Sequence, residues 1–174
     1  MSKGCFLMST RQKWITVILF AIYSTVLLWI ILFKMQFSLQ DISTIRYVNV
    51  IPFDKPMVTN GKVNYSEMYL NALIFAPFGM YLAMLKPKWS ILTQLALIAL
   101  VSLSFEVLQY IFMIGSSDST DLLMNTAGGL LGIIFYKVTV TLAKTRAHSL
   151  LIGFALIGTL LFLAIATLLI IANI

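Results

Sequence analysis

Apolar residues run through this chain in long unbroken stretches, separated by short polar or basic breaks. Five such stretches stand out, at residues 14–33, 67–86, 90–114, 121–143 and 150–171. Each reaches about 20 residues, the length a helix needs to cross roughly 30 Å of hydrocarbon. None alternates in the way a barrel strand does. In lipid the backbone must satisfy its own hydrogen bonds within each segment, so runs of this kind specify helices. The pattern predicts an all-α fold, a polytopic transmembrane helical bundle of about five spans.

The breaks carry the rest of the organisation. Residues 1–13 form a basic head with Lys3, Arg11 and Lys13. Residues 34–66 form a long polar outer loop. Within it Ser38 is placed to cap a short interfacial helix over 39–46, with Asp41 in the first turn. Pro52 and Pro56 exclude a continuous helix through 46–56, and Asn60-Gly61 signals a turn. Inside the second stretch Pro77 cannot donate to the carbonyl of Leu73, which predicts a kink.

Composition agrees with the pattern. The chain is 60% hydrophobic with a mean hydropathy of +0.98, and only 10% of residues are charged. Soluble domains carry about 25% charged residues. The net charge of +6 comes from basic residues in the breaks, where a membrane protein carries its orientation signal, so nucleic acid is not an expected partner. Seven Lys and Arg residues lie in the head and in the breaks at 86–89 and 144–146, against four (Lys34, Arg46, Lys55, Lys62) on the opposite side. This places the N-terminus in the cytoplasm. The first stretch exceeds the about 7–15 residues of a signal h-region and no small-x-small site closes it, so a retained helix is expected. The single cysteine, Cys5, excludes an intrachain disulfide.

Polar groups concentrate between Ser102 and Gly132, which hold Glu106, Gln109, Asp118, Asp121 and Asn125. A carboxylate within a spanning helix costs about 2.5–3.5 kcal/mol near the centre, less toward the interface, and asks for a reason. Glu106 lies roughly 12 Å below the end of its stretch at 1.5 Å per residue. Ser102, Gln109 and Tyr110 share its helical face. Asp118, Asp121 and Asn125 line one side of the next helix start; an N-cap and a first-turn dipole partner are the simplest roles for the two aspartates. Gly128 and Gly132 form a small-xxx-small pair suited to close helix packing. Arg46, Asn49 and Asn71 fall at the same level. Together these eight residues, Arg46, Asn49, Asn71, Glu106, Gln109, Asp118, Asp121 and Asn125, suggest an outward-facing polar pocket. His148 and Cys5 fall on the cytoplasmic side, away from the pocket, so no zinc site is expected at the pocket. Neither a metal nor a cofactor is expected.

At these residues the sequence resembles the VanZ-like family of bacterial membrane proteins. The resemblance is carried by RYVNVIPF (46–53), NALIFAPFG (71–79), SFEVLQ (104–109) and DSTDLLMNTAGGLLG (118–132), and covers roughly 46–135. It implies a multi-pass bundle in the bacterial cell membrane and, for some members, resistance to glycopeptide or lipoglycopeptide antibiotics of the teicoplanin type. Many members carry an arginine just before the last block, where this chain has GSS (115–117). Arg46 is then the main cationic candidate.

Three functions follow. In the first, the pocket binds an envelope lipid or a lipid-linked cell-wall precursor by its head, without catalysis. In the second, the chain is a membrane enzyme acting on a lipid headgroup, with Glu106 as general acid or base and Asp121 positioning the substrate. In the third, it is a structural partner of another envelope protein or of a second copy.

Overall fold

The computed structural model describes residues 8–33, 47–54, 57–59, 62–112 and 116–172. The expected interfacial helix over 39–46, Arg46 and the Asn60-Gly61 turn lie outside the described residues.

Five α-helices dominate the described residues. α1 spans Thr10–Phe33 and starts four residues before the first apolar stretch. A capping box explains the extra turn: Ser9 N–H donates to Gln12 Oε1 at 3.0 Å, and Gln12 N–H donates to Ser9 Oγ at 3.2 Å. α2 spans Ser66–Leu85 and continues through Pro77. α3 spans Ile91–Phe112 and is capped by Ser90, whose Oγ accepts from Thr93 N–H at 3.0 Å. α4 spans Ser119–Ala143, and α5 spans Ala147–Ala172. Between them a single 3-10 turn, Lys144–Arg146, reverses the chain, with Lys144 in the left-handed region at φ 48°.

That reversal matters for counting spans. Among the described residues, four stretches are long and apolar enough to cross a membrane: Thr10–Ile31, Met68–Leu85, Ile91–Phe112 and Ser119–Ala164. The last, 46 residues long, contains both α4 and most of α5. Phe135 and Phe154 nevertheless meet with ring centroids 5.6 Å apart, and the rings of Tyr136 and His148 lie 6.2 Å apart. These pairs can meet only if α4 and α5 form an antiparallel hairpin.

The helices alternate in direction. Phe20 meets Phe78 at 5.3 Å and Tyr23 meets Tyr81 at 5.6 Å, which sets α1 against α2. The Tyr23 hydroxyl donates to the carbonyl of Ile74, beside the ladder that Pro77 interrupts. One end of the bundle thus collects Arg11, Lys13, Lys86, Lys88, Lys144 and Arg146; the other collects Asp54, Asp118 and Asp121. We call these the basic and the acidic end.

α2 and α4 form the central pair and run in the same direction. A Cβ added at Gly128 would overlap the backbone of Ala72, and one at Gly132 the backbone of Ala76. Gly79 meets Gly129 in the same way. Small residues on both helices bring the two backbones into contact, so the pair gains dispersion where lipid provides no hydrophobic drive. Phe75, Ile98, Phe105 and Ile133 fill the interior beside this seam, while Leu100, Leu131, Leu142 and Leu160 stay exposed. An exposed apolar exterior suits a protein whose solvent is hydrocarbon.

Among the described residues, four strands of three residues each lie near the acidic end. β1 (Tyr47–Asn49) pairs in parallel with β4 (Ser116–Asp118), placing Asn49 opposite Asp118. β2 (Met57–Thr59) and β3 (Lys62–Asn64) pair antiparallel. Strands this short leave no periodicity in a sequence, so the pattern of apolar residues did not announce them.

Candidate functional site

The site is built where α3 ends and α4 begins. Glu106 sits on the buried face of α3, six residues before its end, or about 9 Å at 1.5 Å per residue. Its Oε2 accepts the backbone N–H of Asp118 at 2.9 Å, and its main-chain carbonyl accepts the Ser117 hydroxyl at 2.7 Å. One glutamate thereby fixes the loop that returns to α4. Asp118 N-caps α4, accepting from Thr120 N–H at 2.7 Å. Its carboxylate also receives the Asn49 amide, at 3.3 Å and 3.4 Å to the two oxygens.

β1 brings the segment before α2 onto this corner. Asn49 is buried and its Oδ1 accepts from Ile51 N–H at 3.2 Å, an Asx-type bond that starts the next turn. The turn is closed by Asp54 N–H to Ile51 O at 3.3 Å. Phe53 adopts φ 63°, a region that turns usually give to glycine or asparagine. Its N–H donates to Thr120 Oγ1 at 3.1 Å. Val50, Ile51 and Phe53 project outward from this turn as an apolar lip beside the polar cluster.

One turn deeper, Asn125 donates through Nδ2 to Ser102 Oγ at 2.8 Å, and both residues are fully buried. The Oδ1 of Asn125 has no hydrogen-bond partner among the described residues. Gln109, on the same face as Glu106, donates to the carbonyl of Ile31 on α1 at 3.0 Å; its buried Oε1 likewise finds no donor among the described residues. Buried acceptors of this kind are rare in folded proteins and ask for a donor.

Of the eight residues that the sequence singled out, the structure joins Asn49, Asp118 and Glu106 directly. Asn125 meets the same α3 face through Ser102. Gln109 belongs to that face but turns its amide toward α1. Asp121 lies between Asp118 and Asn125 in the first turn of α4, half-buried. Asn71 is half-buried on α2, next to the Ala72 that touches Gly128, and makes no hydrogen bond among the described residues. Arg46 is outside the described residues. Tyr110, placed on the Glu106 face by spacing, is exposed instead. Thr120, Ser117 and Ser119 were missed. Thr120 is buried, and Ser119 Oγ is buried without a partner among the described residues. The signal was present in the run of hydroxyls at 116–120, a composition that favours caps and turns.

The four sequence blocks that bear the resemblance thus become four walls of one construction. RYVNVIPF forms β1 and its turn, and NALIFAPFG is the α2 face packed on α4. SFEVLQ carries Glu106, and DSTDLLMNTAGGLLG runs from β4 through the glycine seam. A family model described as VanZ/LLP1 matches residues 20–143. The chain belongs to the VanZ/LLP1 family. The match runs from within α1 to the end of α4 and leaves α5 outside it. The chain is also 37% identical over 123 residues to "Protein VanZ" of Enterococcus faecium, covering 70% of this chain and 73% of that protein. No solved structure gives a significant match. Membership makes this a membrane protein, in keeping with its helices.

Proposed function

We propose that this VanZ/LLP1 protein binds the head of an envelope lipid, or of a lipid-linked cell-wall precursor, at the acidic end of the bundle. Through that binding it contributes to resistance against teicoplanin-type glycopeptide and lipoglycopeptide antibiotics. The protein is multi-pass in the bacterial cell membrane, with five spans, the basic end in the cytoplasm and the acidic end outside.

One observation carries the reading. The Asn49–Asp118–Glu106 network sits beside Asn125 and Gln109, two buried side chains whose amide oxygens find no donor among the described residues. The carboxylates of Glu106, Asp118 and Asp121 add further acceptors. Such a surface suits a head rich in donors, such as sugar or glycerol hydroxyls or an amine. Arg46, retained as the cationic member, would contact a phosphate. The apolar lip of Val50, Ile51 and Phe53 favours a ligand that arrives from within the bilayer.

Binding is favoured over catalysis because the bond from Asp118 N–H to Glu106 Oε2 already gives the buried carboxylate a structural role. The test is teicoplanin susceptibility of cells expressing the protein or its Glu106→Gln, Asp121→Asn or Asn125→Ala variant, with membrane levels matched. Loss of resistance in the variants supports the reading; full resistance in all three removes it.

A further inference from the structure

We propose that an apolar groove between α1, α2 and α5 is the binding slot for an acyl chain of a membrane lipid, and that it takes the tail of the lipid whose head occupies the acidic cluster. The inference rests on the head-binding reading for the identity of that lipid, but the slot itself stands on its own geometry.

The groove has a volume of about 430 Å³ and is walled by Tyr23, Val26, Leu73, Pro77, Phe154 and Gly158 among others. On α1 its wall runs from Ile22 to Ile30, all within the membrane-spanning stretch. A dry apolar space at this depth is not filled by water, which needs polar partners. Left empty it would forfeit the dispersion of its lining. The remaining occupants are a helix of another chain or a hydrocarbon tail.

Spread over the roughly 12 Å from Ile22 to Ile30, the volume accommodates an extended methylene chain.

Two further features support a tail. The groove ends at Ile30, and the next residue, Ile31, offers its carbonyl to Gln109 of the polar cluster. The rim of the slot therefore meets the site, as one lipid with head and tail requires. A second apolar groove of about 410 Å³ between α2, α4 and α5 shares Leu73, Pro77, Met80 and Phe154 with the first. The two are branches of one cleft over the proline of α2.

Gly158 allows a clean test. A Cβ there meets nothing within 4 Å, so a larger side chain enters the groove without displacing protein. Gly153 is equally open but does not line the groove. The probes are palmitate and phosphatidylglycerol, each mixed with the delipidated full-length protein in mild detergent and counted by native mass spectrometry. Gly158→Phe is expected to lower retention of both probes by about tenfold, the effect of losing burial of about two methylenes. Gly153→Phe should retain both. Equal retention by Gly158→Phe and Gly153→Phe overturns the slot. Asn125→Ala separates the two readings. It should weaken phosphatidylglycerol and leave palmitate unchanged. If it leaves both unchanged while Gly158→Phe loses both, the slot stands and the head-binding reading falls.

Discussion

Glu106 Oε2 accepts the backbone N–H of Asp118 at 2.9 Å, so a carboxylate on α3 anchors the residue that caps α4. The same Asp118 receives the amide of Asn49 from β1. A single residue therefore ties β1, the α3–α4 return and the start of α4 into one unit.

Because the bond is to a backbone donor, Glu106→Gln and Glu106→Ala should differ. Glutamine keeps an acceptor oxygen at the same reach. Alanine leaves the Asp118 N–H without its partner, which costs about 1–3 kcal/mol when the donor is buried. Thermal unfolding in mild detergent should show Glu106→Ala melting clearly below Glu106→Gln, with Glu106→Gln close to wild type. Equal melting of the two variants would show that the bond does not hold the loop.

The α2–α4 seam predicts an asymmetric response to one added methyl. Gly132→Ala would press a Cβ into the Ala76 carbonyl, and backbone cannot give way as a side chain can. Overpacking of this kind costs about 1–3 kcal/mol. Gly153→Ala, in α5 with open space around it, should stabilise by about 0.5–1 kcal/mol through the lower backbone entropy of alanine. Denaturant titration of both variants in the same detergent checks the pair. A stable Gly132→Ala would contradict the backbone contact.

Orientation is tested with single cysteines in a Cys5→Ser background. Val50→Cys lies in the exposed turn at the acidic end, and Thr145→Cys in the exposed turn at the basic end. An impermeant maleimide added to intact cells should label Val50→Cys and spare Thr145→Cys. The opposite pattern would invert the protein and place the polar cluster in the cytoplasm.

The helices were legible in the sequence because their physics is written in it. Long apolar runs leave few alternatives to helices in lipid. Gly128 and Gly132, read from spacing as a packing pair, lie at a seam of backbone contact. Asp118, read first as a cap, is one. Helix starts were less legible where a polar capping box extended the helix, as Ser9 and Gln12 do before Trp14. The parallel pairing of β1 with β4 was not legible at all. It joins residues 69 apart in sequence, Asn49 and Asp118, through strands too short to carry a period. Spacing alone put Tyr110 beside Glu106, but four residues along a helix drift by about 40°. That drift is enough to turn a residue at the edge of a buried face outward.

The most direct measurement is the lipid content of the protein purified in mild detergent from its native membrane, identified by mass spectrometry. Wild type, Glu106→Gln and Asn125→Ala are compared at matched folding. The account predicts a tightly held envelope lipid or lipid-linked precursor on wild type. Retention should fall by about tenfold in Asn125→Ala, the effect of one lost buried hydrogen bond, and fall in Glu106→Gln as well. The same lipid in the same amount on all three proteins would contradict it.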